Sequence, residues 1–179
     1  TRVIRDIPST ETHLDSFQTN LRQVVQQRLE NMRLEQRDIR SREISKQNPK
    51  LPIQLNIQAY RTASSYEYFL QHTDANNRIL SFLRLSLPRT KSFVEELQHS
   101  AIVRELHVYG QVEAVGEAGG SNTQHQGLGK ELLLHAEKIA QEQGFPTLNV
   151  ISAIGTRGYY QKRGFVLGEL YQHKHPHTA

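Results

Sequence analysis

The sequence predicts an α/β (α+β) fold of three layers, in which helices cover both faces of a mixed, mainly antiparallel central sheet. Three observations support this prediction. Apolar residues alternate with polar ones from Ile53 onward, a glycine-rich turn leads directly into a helical pattern at Leu128, and a strand, a short helix and a final strand follow that helix. The predicted order is therefore a strand meander, a strand, a glycine loop, a helix, a strand, a short helix and a strand.

Length and composition restrict the class of protein. The chain has 179 residues, enough for one domain with an appendage, and carries a formal net charge of +4. It contains no cysteine, which excludes disulfides, thiolate metal sites and a thiol nucleophile. No apolar run has the length of a membrane span and no signal peptide opens the chain, so we expect a soluble, cytoplasmic protein without a membrane partner.

Residues 1–50 form a basic segment that carries most of the net positive charge. Apolar residues at helical spacing predict an amphipathic helix here, with Thr19 or Asn20 as its N-cap. Arginine binds phosphate through two parallel hydrogen bonds, so the arginines are candidate nucleic-acid ligands. The alternative is a solvated helix and loop with local ion pairs. The candidates are Arg28, Arg33, Arg37, Arg40 and Arg42.

A polar stretch with a proline at 46–50 predicts the boundary between this segment and a second domain at 51–179. In the second domain we expect strands at 53–60, 78–87 and 101–115, with 64–71 ambiguous between strand and helix. Residues 116–122 are glycine-rich and predict a loop. After the main helix, the pattern predicts a strand at 147–152, a short helix at 156–162 and one final strand at 165–172.

The central feature is the stretch 124–131, in which Gly127 and Gly129 lead into a helix that reaches Gln143 and stops at Gly144. The first N–H groups of a helix have no intrahelical acceptor and lie at the positive end of its dipole. Glycines without a Cβ let an anion approach that backbone, so the stretch predicts a phosphate site. The alternative is a plain helix start behind a flexible loop.

The pattern Gln124-x-x-Gly127-x-Gly129 resembles the pyrophosphate loop of the GNAT acyl-CoA N-acetyltransferases, and the predicted order of elements is that of the GNAT fold. Three stretches, at 104–110, 124–129 and 151–165, resemble the acetyltransferase domain of the catalytic subunit of Elongator, which modifies the wobble uridine of tRNA. Parts of the basic segment resemble the link from that domain to a radical-SAM domain. The resemblance spans nearly the whole chain and is weakest over 44–100 and at the C-terminus.

This resemblance implies roles for individual residues. Backbone groups of Glu105, Leu106, His107 and Val108 would run beside the pantetheine arm of acetyl-CoA. A tyrosine of the short helix would donate a proton to the CoA thiolate, with Tyr160 selected first by position and Tyr159 as its neighbour; packing is the alternative for one of them. His107 is a candidate acid or base, or a structural strand residue. The pyrophosphate would be bound by Gln124, Gln126, Gly127, Leu128, Gly129, Lys130 and Glu131.

The resemblance also implies the function. We expect acetyl-CoA binding and tRNA-stimulated thioester hydrolysis, the acyltransferase half of wobble-uridine C5 carboxymethyl modification. Expected partners are tRNA, held by the basic segment and Arg157, a radical-SAM domain of the same enzyme, and other Elongator-like subunits. Without cysteine this chain would hold no iron–sulfur cluster and no S-adenosylmethionine, and its start at Thr1 favours a fragment over a shortened homologue.

Two alternatives remain at this stage. One is a GNAT N-acetyltransferase for lysine or a small amine, and the other is a non-catalytic module that binds acyl-CoA and tRNA. Alternating histidines at 173, 175 and 177 are typical of a frayed tail more than of a metal site, so no native metal is predicted.

Overall fold

The computed structural model describes residues 21–34, 37–44, 48–109 and 127–175. The chain divides into two compact units, 1–42 and 43–179. This division lies between Arg42 and Glu43, before the polar stretch at which the sequence suggested a boundary. The functional assignment of the two segments stays a prediction.

The first unit contains the predicted helix, α1 (Leu21–Asn31). Its end is closed by a hydrogen bond from the Leu34 N–H to the Leu29 carbonyl, 2.9 Å long, with Arg33 in the left-handed region at φ 54°. The predicted caps Thr19 and Asn20 lie outside the described residues. In the loop that follows, one carboxylate oxygen of Asp38 accepts the N–H groups of Arg40 and Ser41.

The second unit is built on a seven-stranded sheet in the order β1-β2-β3-β4-β5-β7-β6. Strands β1 to β4 form the predicted antiparallel meander, β4 and β5 are parallel, and β7 pairs antiparallel with both β5 and β6. The ambiguous stretch at 64–71 is a strand. The bounds are β1 (Gln54–Arg61), β2 (Ser65–Thr73), β3 (Ile79–Pro88), β4 (Ser100–Val108), β5 (Thr147–Val150), β6 (Val166–Leu167) and β7 (Gln172–Lys174).

The turn between β2 and β3 is held by Asp74, as its position in a polar turn sequence suggests. The Asp74 carboxylate accepts the N–H groups of Asn76, Arg78 and Lys50 and pairs with the Arg78 guanidinium at 2.6 Å. Burial by itself raises the pKa of Asp74, but these hydrogen bonds outweigh it and hold the pKa at about 2. The chain before β1 is thereby tied to the tip of the next hairpin.

Two helices, α2 (Leu128–Glu142) and α3 (Arg157–Gln161), pack on the same face of the sheet. Leu132, Leu133 and Ala136 of α2 share one buried cluster with Tyr160 of α3 and with the strand residue Leu83. The one-turn 3₁₀ helix Glu95–Leu97 lies at the other face, where Leu97 shares a cavity wall with Arg84 and Ser86. No described helix has both the length and the apolarity needed to cross a membrane.

The prediction of one final strand at 165–172 is wrong. The chain forms two short strands, β6 and β7, joined by a turn in which the Gly168 N–H donates to the Tyr171 carbonyl. The carboxylate of Glu96 holds this turn by accepting the N–H groups of Glu169 at 2.7 Å and Leu170 at 2.8 Å. A partner this distant in the sequence gives no local signal, so the alternation of residues suggested one continuous strand.

Candidate functional site

The first element of the site is the part of β4 that extends beyond the end of β5 and is therefore unpaired on that side. β4 pairs with β3 as far as Val108, opposite Ser81, but its pairing with β5 ends at Val103, opposite Val150. Among the described strands, residues 104–108 have no neighbour on the β5 side. Arg104 forms a bulge, because the flanking residues pair with adjacent positions of β3. The backbone groups on this edge can therefore bind an extended ligand as an added strand would.

The second element is the start of α2. Gly127 directly precedes the helix and has a φ of 112°, a backbone conformation that residues with a side chain rarely adopt. Its carbonyl accepts the Glu131 N–H at 2.9 Å. The N–H groups of the first turn lie ahead of that bond and have no intrahelical acceptor. Lys130 is exposed beside them. The described part of the predicted phosphate site thus has the backbone geometry that binds an anion.

Gly129 brings these two elements together with α3. A Cβ on Gly129 would lie 2.6 Å from the Tyr159 hydroxyl oxygen and 3.2 Å from Cγ2 of Val108. Only a residue without a side chain allows this approach. The end of the open β4 edge, the first turn of α2 and a tyrosine of α3 therefore meet at one point.

The two predicted tyrosines have different surroundings. Tyr160 is 7% exposed and packs edge-on against Phe165, with ring centroids 5.5 Å apart, and against Tyr159 at 5.2 Å. Burial, together with the neighbouring Tyr159, raises the pKa of Tyr160 to about 12. Its hydroxyl therefore stays protonated far above neutral pH.

Tyr159 is half-buried, and its hydroxyl is the one that lies at Gly129. The Arg163 guanidinium lies 3.5 Å from its ring centroid, and Nη1 donates to the Tyr159 carbonyl at 2.6 Å. Burial raises the pKa of Tyr159, while Arg163 lowers it, with a net rise. Geometry thus favours Tyr159 where matching by position favoured Tyr160, and both hydroxyls remain proton donors.

The predicted strand residues divide between the two sheet faces. Leu106 and Val108 lie on the α2 side, whereas Glu105 and His107 lie on the opposite side. The His107 ring is exposed and stacks on Phe82, with ring centroids 5.0 Å apart. Glu105 lies 3.5 Å from the Arg84 guanidinium. The structure consequently does not bring His107 to the tyrosines, and its aromatic contact fits the structural alternative.

A buried histidine next to the first turn of α2 escaped the sequence analysis. Nδ1 of His72 lies 2.8 Å from the Ser81 hydroxyl, and Nε2 lies 3.3 Å from the Glu131 carboxylate. Burial lowers the pKa of His72; Glu131 raises it and His135 lowers it further, with a net decrease. Alternation along β2 could have placed His72 in the core, but only the packing of α2 on the sheet reveals Glu131 as its partner.

The remaining candidates lie elsewhere. Gln124 and Gln126 are outside the described residues. Arg157 is exposed at the start of α3. In the first unit Arg42 is partly buried, and the exposed candidates are Arg28, Arg33, Arg37 and Arg40. Within the described ranges no three metal-binding side chains come together, and His177 lies beyond them.

A mixed sheet that opens beside a helix N-terminus defines a class of α/β proteins suited to elongated anionic ligands. The chain belongs to the acetyltransferase (GNAT) family, whose profile matches residues 33–165. This membership confirms the predicted fold class.

Relatives of known name refine the relationship. Elongator complex protein 3 of Danio rerio is 40% identical over 174 residues, which are 93% of this chain and 32% of the relative. A protein of Dehalococcoides mccartyi (strain CBDB1) named tRNA uridine(34) acetyltransferase is 35% identical over 182 residues, 97% of this chain and 39% of the relative. The chain spans about a third of the length of these relatives.

A solved structure agrees with these relatives. The archaeal Methanocaldococcus infernus Elp3 with an N-terminal deletion (1–46) matches with a TM-score of 0.80 and 34% identity, over 98% of this chain and 43% of that one. The resemblance to the Elongator catalytic subunit that the sequence suggested is thereby confirmed.

Proposed function

We propose that this chain binds acetyl-CoA and cleaves its thioester in response to tRNA, as the acyltransferase half of an enzyme that modifies the wobble uridine at C5. The observation that carries the proposal is the meeting of Val108, Gly129 and Tyr159 at the open end of β4. The names of the relatives, Elongator complex protein 3 and tRNA uridine(34) acetyltransferase, support tRNA as the substrate.

Binding would use backbone groups from two elements. The CoA pyrophosphate would accept hydrogen bonds from the first N–H groups of α2, beside the exposed Lys130. The resemblance adds Gln124 and Gln126 to the residues that would bind it. The pantetheine amides would pair with residues 105–108 along the open edge of β4. In this arrangement the thioester would lie between β4 and β5, close to the tyrosines of α3.

Cleavage would be a hydrolysis in which the tyrosine acts as general acid. Water attacks the thioester carbonyl carbon, the C–S bond breaks, and the departing CoA sulfur receives the proton of the Tyr159 hydroxyl, with Tyr160 as the rival donor. A proton released by the attacking water then returns to the tyrosine. The products are acetate and CoA. In the complete enzyme, a radical-SAM domain would join the acetyl methyl carbon to C5 of uridine, so that the same cleavage leaves a carboxymethyl group.

The test is release of CoA thiol from acetyl-CoA, with and without tRNA. Because the chain has no cysteine, a thiol reagent reports only the released CoA. We expect slow release alone and faster release with tRNA. Absence of release under both conditions contradicts the proposal, and acetyl transfer to an amine without tRNA would favour the N-acetyltransferase alternative. Binding without turnover would favour the non-catalytic module.

A triple variant tests whether the arginines of the basic segment bind tRNA. Replacing Arg33, Arg37 and Arg40 by Ala should reduce the stimulation by tRNA and flatten the salt dependence of tRNA binding, because each neutralised phosphate releases counterions. Acetyl-CoA binding should be unchanged. The matched control replaces three exposed lysines elsewhere, Lys50, Lys138 and Lys162. Equal salt slopes for the two triple variants would remove these arginines from the tRNA site.

A further inference from the structure

The sheet face opposite α2 contains a cavity of about 620 Å³. Side chains alternate along β3, so Leu83 and Leu85 face α2 whereas Arg84 and Ser86 line this cavity. Its rim is formed by the connection that follows β3, including Lys91 and Phe93. We call this site the basic cavity and define it by Tyr60, Arg84, Ser86, Lys91, Phe93 and Arg104.

The charge of the basic cavity is positive. Arg84 lies 3.5 Å from Glu105, and its Nε atom is buried without a hydrogen bond. Lys91 and Arg104 are exposed, and in the described part of the chain neither lies in a salt bridge. The one carboxylate in the lining, Glu67, accepts hydrogen bonds from two serine hydroxyls, each 2.6 Å long. The lining thus has three cations and one carboxylate, and Lys91 and Arg104 are the two cations that no salt bridge among the described residues engages.

Aromatic rings stand at the same cavity. Phe93 is fully exposed and Tyr60 is 48% exposed, although both line a concave site. An exposed phenylalanine gains nothing from burial in this fold, whereas its free face can stack on a planar group. Cations beside stacking rings are the combination with which proteins bind single-stranded nucleic acids.

We propose that the basic cavity binds a nucleotide of single-stranded RNA. The base stacks on Phe93 or Tyr60, and the phosphates meet Lys91 and Arg104. The inference rests on the proposed tRNA substrate, of which this nucleotide would be one unpaired residue. Arg104 is the first residue of the open β4 edge, so the RNA lies beside the acyl-CoA site but on the other face of the sheet.

The test uses the full chain and a fluorescently labelled single-stranded heptauridylate, with binding measured by anisotropy across a salt series. Phe93→Ala should weaken binding about tenfold, the effect expected for one stacked base. Phe93→Trp should retain binding, and Phe93→Leu should lose it as Ala does. The double variant Lys91→Ala/Arg104→Ala should lower the slope of log affinity against log salt by about 1.4, at roughly 0.7 per phosphate contact on a single strand.

Controls on α2 distinguish this site from general surface charge. Leu134→Ala and Lys138→Ala remove an exposed apolar and an exposed basic side chain from the other sheet face and should leave binding unchanged. Cavity variants that bind like these controls, or a heptauridylate that does not bind at all, overturn the inference. Wild-type binding by Phe93→Leu also overturns it, since plain apolar contact then suffices and a protein segment fits better. Thiol release with tRNA is measured in parallel, so failure of the cavity is separable from failure of the proposed function.

Discussion

The two proposed ligand sites lie on opposite faces of the sheet and are built in opposite ways, although they share strand β4. On the α2 face, the site requires a residue without a side chain at position 129, because the Tyr159 hydroxyl occupies the space that a Cβ of Gly129 would need. On the other face, the basic cavity depends on side chains that project into it, among them Lys91, Phe93 and Arg104. The packing of the first site is therefore disrupted by adding atoms at Gly129, whereas binding at the second site is disrupted by removing side chains.

This difference follows from the geometry of β4. Successive residues of a strand face opposite sides, so one segment serves both sites, and the bulge at Arg104 separates the buried part that pairs with β5 from the open edge. Backbone N–H groups can bind a ligand of fixed shape, whereas cations and rings tolerate a flexible chain. The comparison predicts that variants on one face leave the ligand of the other face bound.

The largest expected effect is on the chemistry at the α2 face. Tyr159→Phe keeps the ring but removes the proton donor, so thioester cleavage should slow about a hundredfold while acetyl-CoA and heptauridylate still bind. Tyr160→Phe should slow it less than about tenfold, because its hydroxyl is not the one at Gly129. Tyr66→Phe, an exposed tyrosine of β2, is the control.

Thiol release by rapid mixing checks this order of effects. If Tyr160→Phe cleaves the thioester more slowly than Tyr159→Phe does, Tyr160 is the proton donor, as the match by position predicted. Full activity in both variants would leave packing as the role of the pair. Since the pKa of Tyr160 is about 12 and that of Tyr159 is raised, neither donor should be lost to ionisation on going from pH 7 to pH 9.

A smaller effect should follow from adding a methyl group at the meeting point. Gly129→Ala puts a Cβ against the Tyr159 hydroxyl, and such overpacking costs about 1–3 kcal/mol of unfolding free energy. Adding Tyr159→Phe removes the oxygen at 2.6 Å and leaves the nearest tyrosine carbon at 3.6 Å, so it should restore part of that stability. Gly155→Ala, where a Cβ meets nothing within 4 Å, is the matched control.

Urea unfolding of the two single variants and the double variant measures this coupling. Additive effects would contradict the contact between Gly129 and Tyr159. Heptauridylate affinity should stay constant throughout, because the change lies on the α2 face. A loss of RNA binding in Gly129→Ala would mean that the two faces are not independent.

The smallest effect concerns pH and the buried His72. Its folded-state pKa is below the unfolded value of 6.5, so between those two values the unfolded chain binds more protons. This contribution to stability is complete above pH 6.5 and is lost as the pH falls toward the folded-state pKa. The groups that face His72 are Ser81 on β3 and Glu131 and His135 on α2.

His72→Gln should therefore make the free energy of unfolding less dependent on pH between 7 and 5, as measured by urea titration at each pH. His175→Gln serves as control, because His175 is exposed and is not among the groups that shift the pKa of His72. An unchanged pH dependence in His72→Gln would show that the pKa of His72 is the same in the folded and unfolded states. No change in heptauridylate binding is expected.

The sequence by itself determined the elements whose signals are local. Alternation from Ile53 gave the meander, and the glycines before Leu128 and at position 144 gave both ends of α2, because periodicity and helix ends depend on neighbouring residues. It also contained the resemblance that the family relationship confirms. The prediction of a phosphate site at the start of α2 rests on the same local signals.

Tertiary structure decided what depends on distant partners. It divided the last strand in two through Glu96, placed His72 against Glu131, and brought the Tyr159 hydroxyl rather than that of Tyr160 to Gly129. It also formed the basic cavity by placing the connection that follows β3 beside residues of β1, β3 and β4. Each of these features is a contact between residues far apart in the chain. Such contacts depend on how whole helices and strands pack together, and local sequence patterns carry no information on that packing.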